Sequence, residues 1–239
     1  MHRTLRRFWS HDAGLTALLV LLFLDIFIFY PMMSNSLGRL LVEACYILII
    51  AFGVREVMET PVWGRLVIIL GVTGLLGGVV AFIYPYRYLV LVNVIIEVAF
   101  IAILIVVILI RVFREGHIDT HRIAGAIAVY LLIGVLWGGI YSGLALMVPK
   151  AFNFAQTSPT EGIDTFDGKL LYFSFVTLTS VGYGDILPAH RAVKMIAVLE
   201  AVIGQLFPSI LLARLVSMEI ESRQTKKRIS VKEDAHNPS

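Results

Sequence analysis

Long apolar runs constrain this chain more than any other feature of its sequence. A helix crosses the hydrocarbon core of a bilayer with about 20 predominantly apolar residues. Hydrophobic residues make up 58% of the chain and charged residues only 15%, which excludes an ordinary soluble enzyme and a disordered chain. The sequence therefore predicts an all-α, multi-pass membrane protein. Its apolar stretches of spanning length are residues 13–32, 37–54, 63–84, 88–110, 123–148 and 192–216.

A further apolar piece, residues 170–181, is too short to span and is bounded by Gly168 and Gly182. A segment of this length is typical of a re-entrant or buried helix. Irregular backbone beside it is tolerated at membrane depth only where it faces protein or water. We therefore expect six transmembrane helices, with a re-entrant segment between the fifth and the sixth.

Basic residues predict the orientation, because cytoplasmic loops are enriched in Lys and Arg. With six spans, fourteen of the 20 Lys and Arg residues fall on the side of both termini and six on the other side. Both termini are thus predicted to be cytoplasmic, in a cell (plasma) membrane. The first span is too long for a signal peptide and no A-x-A site follows it, so we expect it to be retained.

The most informative chemistry lies in residues 167–188, which read DGKLLYFSFVTLTSVGYGDILP. Asp167 is of a type that caps helices, and a short helix is predicted to end near residues 177–179. Gly182 and Gly184, at alternating positions, permit backbone conformations closed to other residues. If consecutive carbonyls point inward, four copies around an axis form stacked rings of oxygen. Such rings replace the hydration shell of a monovalent cation, and the negative end of the short helix dipole aims at the same centre.

The stretch TLTSVGYGD resembles the selectivity filter of potassium channels, and it lies between two apolar spans on the outer side. The resemblance covers about residues 123–218, and the layout is similar to a six-transmembrane subunit of bacterial type. It implies a homotetrameric pore in which K⁺ is bound by backbone carbonyls and by the Ser180 hydroxyl at the inner end. The ion-binding residues that it implies are Ser180, Val181, Gly182, Tyr183 and Gly184.

One position departs from the family pattern, which usually has Thr where this chain has Ser180. The hydroxyl ligand is kept and the methyl group is lost. We therefore expect a looser innermost site with selectivity mostly retained, and a weakly selective cation channel is the alternative.

Several residues are expected to support the filter from behind. Tyr183 should point away from the pore and pack against pore-helix aromatics, which are otherwise ordinary core residues. Asp185 either accepts a hydrogen bond from Tyr172 or is a solvated charge at the outer mouth. The expected supporting residues are Thr177, Thr179, Tyr172, Phe173 and Asp185.

The last span carries three residues that share one face: Glu200, Gly204 and Pro208. Gly204 and Pro208 predict a gating hinge below the filter, although both residue types are also common in membrane helices. Glu200 is ionisable, and an ionisable side chain in a membrane helix rarely faces lipid. Three placements are compatible with the sequence: behind the short pore helix and bonded to Thr or Ser hydroxyls, near the ion cavity, or protonated in a structural role. The placement of Gln205 is ambiguous in the same way.

The first four spans resemble the layout of a voltage-gated channel but lack its sensor. A sensor needs several basic residues through the fourth span, whereas only Arg87 and Arg111 stand at its two ends. Voltage gating is therefore not expected. The stretch Thr73–Gly78 offers small residues for close helix packing.

Acidic residues inside the other spans, Asp25, Glu43 and Glu97, are either structural carboxyls or a cluster that senses cations or contacts lipid. His117 and His121 are expected to be solvated loop histidines. The basic tail, around residues 223–228, is expected to contact anionic lipid head groups.

Taken together, the sequence predicts a passive potassium channel and not an enzyme, with no cofactor besides the permeant K⁺. We expect membrane lipids and three further copies of the chain as partners, and no nucleic acid. The sequence does not decide whether a separate regulatory subunit binds. A non-conducting accessory subunit is the alternative from another class. The predicted regions are a cytoplasmic N-terminus at 1–12, a four-helix domain at 13–116, a pore domain at 117–217 and a basic tail at 218–239.

Overall fold

The computed structural model is mostly helical, as the apolar runs predict. It describes residues 13–32, 38, 41–42, 44–50, 61–113, 120–154 and 166–236. Helix α1 (Ala13–Leu24) continues into a π-helical turn, Asp25–Phe29, and a 3₁₀ turn, Tyr30–Met32. It is followed by α2 (Pro61–Ile83) and α3 (Arg87–Val112).

The second half of the chain holds the remaining elements. Helix α4 (Thr120–Met147) leads into a short strand, β1 (Phe152–Phe154). After it come the short helix α5 (Phe166–Leu178), strand β2 (Ile186–Pro188) and the long helix α6 (Arg191–His236). Helix α5 begins one residue before the predicted cap and ends where the sequence indicates.

Five helical segments in the described residues are long and apolar enough to cross a membrane, and Gly168–Leu178 is a shorter apolar helix. They agree with five of the six predicted spans to within a few residues. In the predicted second span, residues 38, 41–42 and 44–50 are helical, and its other residues lie outside the described part of the chain.

Helix α6 continues 20 residues beyond the predicted end of its span, from residue 216 to His236. Hydropathy marks where a helix leaves the membrane, not where the helix ends. The sequence after Met218 is rich in Glu, Lys, Arg and Gln, which are good helix formers, and has no Gly or Pro before the helix ends.

Helix α4 is the centre of the packing, because α1, α3, α5 and α6 all contact it. Its interior positions are filled by Val129, Leu132 and Trp137. Two glycines leave room for α5 to cross: a Cβ on Gly134 would lie 2.6 Å from the Phe175 ring, and one on Gly138 would lie 3.1 Å from the Leu171 Cα.

The N-terminal helix reaches the same crossing. The ring of Phe27, in the π-helical turn after α1, lies 6.1 Å from the ring of Phe175, centroid to centroid. Phe175 therefore packs between the end of the first span and the space that Gly134 leaves on α4, which we call the notch. The notch positions α5, and with it the segment that follows.

A two-stranded antiparallel pair, which the sequence analysis did not predict, ties the segment after α5 to the end of α4. Phe152 pairs with Pro188 and Phe154 with Ile186. The Phe152 ring packs edge-on against Tyr141 and Phe173, at centroid distances of 5.7 and 5.4 Å. Strands of three residues carry too little alternation to be recognised in sequence.

The notch predicts a difference between two glycine substitutions on the same helix. Gly134→Ala should destabilise the protein by about 1–3 kcal/mol, because its methyl group meets the Phe175 ring. Gly143→Ala is the matched control, since its Cβ would lie 3.6 Å from the nearest atom, in Val94. Thermal unfolding of the purified variants in detergent checks this, and equal midpoints would contradict it.

Candidate functional site

The backbone after α5 alternates in handedness. The φ angle is positive at Ser180 (58°), Gly182 (60°) and Gly184 (82°), and Val181 and Tyr183 between them are not in this region. Alternation of left- and right-handed residues turns successive N–H groups to one side, which leaves the carbonyls on the other. Glycine adopts these angles freely, whereas Ser180 is in a sparsely allowed region.

The N–H groups of this segment turn back onto the end of α5. The Val181 and Gly182 amides donate to the Val176 carbonyl at 2.9 and 3.3 Å, and the Ser180 amide donates to the Thr177 carbonyl at 2.9 Å. These three backbone donors are therefore satisfied within the chain. In a backbone that alternates in this way, the carbonyls are expected on the side opposite the N–H groups.

The segment lies at the surface of a single chain. The Val181 side chain is 52% exposed and that of Tyr183 is 71% exposed. A row of bare carbonyls cannot face lipid, where no donor replaces water.

The Tyr183 ring turns toward α5, on which it was predicted to pack. It stacks on Tyr172 with the rings 4° from parallel and 6.5 Å apart. The Tyr172 hydroxyl also donates a hydrogen bond to the Asp185 carboxylate, one of the two alternatives for that residue. Phe173 lies elsewhere: it is buried against Tyr141 and Phe152 as an ordinary core residue.

The two threonines expected to support the filter lie at the end of α5. The Thr177 carbonyl accepts the Ser180 amide. The Thr179 hydroxyl donates to the Phe175 carbonyl at 2.6 Å, within its own turn. Thr177 through its carbonyl and Thr179 through its hydroxyl therefore stabilise the junction between α5 and residues 180–184, the filter segment.

Glu200 is fully buried and joins three helices. From α6 its two carboxyl oxygens reach the Tyr141 hydroxyl of α4 at 2.5 Å and the Ser174 hydroxyl of α5 at 2.6 Å. The Ser174 hydroxyl also lies 2.7 Å from the Gly134 carbonyl. Of the three alternatives for Glu200, this geometry matches the position behind the pore helix. Tyr141 was missed, because it lies 59 residues from Glu200 inside an apolar run.

Gly204 and Gln205 bring α6 against the start of the filter segment. A Cβ on Gly204 would collide with the Leu178 carbonyl, so only glycine allows this approach. The Gln205 side-chain amide donates to the Ser180 hydroxyl at 2.8 Å. Helix α6 runs without interruption through Pro208. The hinge at Gly204 and Pro208 stays a prediction.

Polar groups are also buried among the first helices. The Asn93 amide donates to Glu97 at 2.7 Å. Asn93 packs on Gly77 of α2 and the Tyr46 hydroxyl packs on Gly74, so the small residues of that helix face polar side chains. Within the described residues, Asp25 has a buried carboxyl oxygen without a hydrogen-bond partner. Glu43 lies outside them.

The expectation that His121 is a solvated loop residue is wrong. It lies in the first turn of α4, half-buried, and its ring Nδ1 is 2.7 Å from the Thr16 hydroxyl of α1. The helix begins earlier than hydropathy indicates and so includes this residue. His117 lies outside the described part of the chain.

Comparison with known proteins bears on the region that holds this site. Residues 124–221 match the ion channel family model. The chain is 38% identical to Two pore potassium channel c of Oryza sativa subsp. japonica over 115 residues, which are 45% of this chain and 22% of that protein. It is 30% identical to Two-pore potassium channel 2 of Arabidopsis thaliana over 104 residues, 44% of this chain and 20% of that protein.

The chain spans about a fifth of the length of the curated relatives it matches. No solved structure matches it. The matched region runs from α4 to α6 and includes the filter segment, Glu200 and Gln205. These residues are therefore similar to an ion channel region. The bacterial type stays a prediction.

The three-helix junction at Glu200 predicts a ranked series of stabilities. Glu200→Ala leaves the buried Tyr141 hydroxyl without its acceptor, at about 1–3 kcal/mol, whereas the Ser174 hydroxyl keeps the Gly134 carbonyl. Glu200→Gln keeps the shape and an acceptor, so it should lose less. Ser209→Ala is the control, because that hydroxyl bonds only to its own helix at 3.2 Å. Unfolding midpoints in detergent measure the series, and a loss in Ser209→Ala as large as in Glu200→Ala would refute it.

Proposed function

We propose that this protein is a potassium-selective channel that conducts K⁺ passively across the membrane as a homotetramer. The observation that carries the proposal is the backbone of residues 180–184. Its φ angles alternate in sign, and the N–H groups of Ser180, Val181 and Gly182 return to α5. A backbone arranged in this way offers carbonyl oxygens in series on one side.

Carbonyl oxygens in series suit a cation that must shed its water. Rings of such oxygens from four copies replace the hydration shell of K⁺. The carbonyls of Ser180, Val181, Gly182 and Tyr183 supply the sites, and the Ser180 hydroxyl supplies the innermost ligand. The C-terminal end of α5 adds the negative end of a helix dipole at the inner side.

The exposure of the filter segment supports the assembly of several copies around an axis. Val181 and Tyr183 lie at the surface of one chain, where lipid cannot solvate the polar backbone beside them. Much of the apolar surface of α6 is exposed as well, including Val202, Leu206 and Ile210. Copies arranged around an axis cover both features at once.

The helices outside the pore complete the proposal. We assign both termini to the cytoplasmic side of a plasma membrane from the distribution of Lys and Arg. The four-helix region is residues 13–116, the pore region 117–217 and the basic tail 218–239. Lipid head groups contact the tail, and a separate regulatory subunit is compatible with this arrangement.

Ion selectivity is the direct test. The reversal potential of the purified protein in planar bilayers, with K⁺ on one side and Na⁺ on the other, should lie close to the K⁺ limit. Gly182→Ala should shift it or abolish the current, because φ of 60° costs a residue with a side chain about 1–2 kcal/mol. Gly143→Ala, a substitution away from the filter, is the control and should conduct as the parent does.

Two results would contradict this proposal. A reversal potential near zero with intact current means a weakly selective cation channel, with the lost methyl group of Ser180 as its cause. No current from the assembled protein at any voltage, pH or membrane tension means a non-conducting accessory subunit.

Voltage dependence should be weak. Moving one elementary charge through the membrane field is worth about 2.3 kcal/mol per 100 mV, so steep gating needs several charges. Helix α3 carries Arg87 at its start and Arg111 in its last turn, with no Lys or Arg between them. Open probability measured from single-channel records at positive and negative potentials should change only gradually. A steep, saturating activation curve would refute this.

A further inference from the structure

Ser180 combines a strained backbone with a side chain that rotates freely about χ1. Its backbone lies at φ 58°, a region that residues other than glycine rarely occupy. It also lacks the second Cβ substituent that restricts the χ1 rotation of threonine. A serine here has no intrinsic reason to keep its hydroxyl oriented toward a cation.

A side chain from another helix supplies that restraint. The Gln205 amide of α6 donates a hydrogen bond to the Ser180 hydroxyl oxygen at 2.8 Å. A hydroxyl oxygen has two acceptor lone pairs. When one is taken by the Gln205 N–H group, the other remains for a cation, and the hydroxyl hydrogen is turned away from it.

The position of Gln205 is itself fixed. The preceding residue, Gly204, packs directly on the Leu178 carbonyl, the last residue of α5. Four residues before that, Glu200 is bonded to Ser174 of the same helix. Helix α6 is therefore held against α5 by two contacts at the level where Gln205 reaches the filter segment.

We propose that Gln205 is a positioning residue that sets the cation selectivity of the innermost filter site by holding the Ser180 hydroxyl. This proposal rests on the proposed channel function. Gln205 restrains the rotation of the Ser180 hydroxyl, as the methyl group of a threonine would at position 180. It follows that the effect of changing Gln205 depends on which residue occupies position 180.

A double-mutant cycle tests this dependence. Gln205→Met removes the donor and keeps a long unbranched side chain. It should lower the permeability ratio of K⁺ to Na⁺, taken from bi-ionic reversal potentials, about two- to tenfold, which corresponds to the net loss of one hydrogen bond. Ser180→Thr is the reference for the second half of the cycle, whatever its own ratio. The variant that combines Gln205→Met with Ser180→Thr should have the same ratio as Ser180→Thr alone.

The controls separate positioning from folding. Ser209→Ala lies one turn further along α6, bonds only within that helix and should leave the ratio unchanged. All variants are compared as assembled protein on size-exclusion chromatography. If Gln205→Met does not assemble, Gln205→Leu takes its place in the cycle.

Other outcomes overturn the inference. A parent-like ratio in Gln205→Met means that the hydrogen bond does not set selectivity. An equal loss in Gln205→Met and in the combined variant means that Gln205 does not act through Ser180. Both results apply only when the unmodified protein has a K⁺-selective current. A parent without K⁺-selective current would instead refute the channel function itself.

Discussion

The buried carboxyl of Glu200 is the contact on which the packing of α4, α5 and α6 depends. It connects the helix that carries it, α6, to Ser174 of α5 and to Tyr141 of α4. The short helix α5 is not long enough to span and has no position of its own in the bilayer. Its place comes from these hydrogen bonds and from the glycine notches in α4. The filter segment inherits its position from α5.

Polar backbone at membrane depth imposes the second constraint. The amides of Val181 and Gly182 are satisfied by one carbonyl, that of Val176, so the turn needs no water on that side. Two glycines adopt the required positive φ without strain, and Ser180 adopts it against its preference. The strained residue is also the one held by a side chain from α6. The strain and the restraint thus occur at the same position.

Much of the helical architecture was predictable from sequence, and the contacts between helices were not. Hydropathy located five spanning helices and the short helix, because burial in lipid requires an apolar run of fixed length. It did not predict the end of α6, since solvated good helix formers extend a helix without changing its polarity. It also did not predict β1 and β2, which are three residues each.

Within the site, contacts between residues close in sequence could be predicted, and contacts between distant residues could not. The glycine spacing indicated the alternating backbone, and Tyr172 and Asp185 lie close enough in sequence for their contact to be considered. Tyr141 and Glu200 are 59 residues apart on separate apolar helices, and no pattern in the sequence pairs them. The contact between Gln205 and Ser180 spans 25 residues and depends on the close approach at Gly204. A glycine in a membrane helix does not reveal which backbone it faces.

The two ends of the filter segment are held by different contacts. The outer end is fixed by the β1–β2 pair, which joins the chain after α4 to the chain before α6, and by Asp185 on Tyr172 of α5. The inner end is fixed by α5 and by Gln205 in the middle of α6. A displacement of α6 around Gly204 would therefore act on the inner end first. The outer end would stay in place as long as the strand pair is intact.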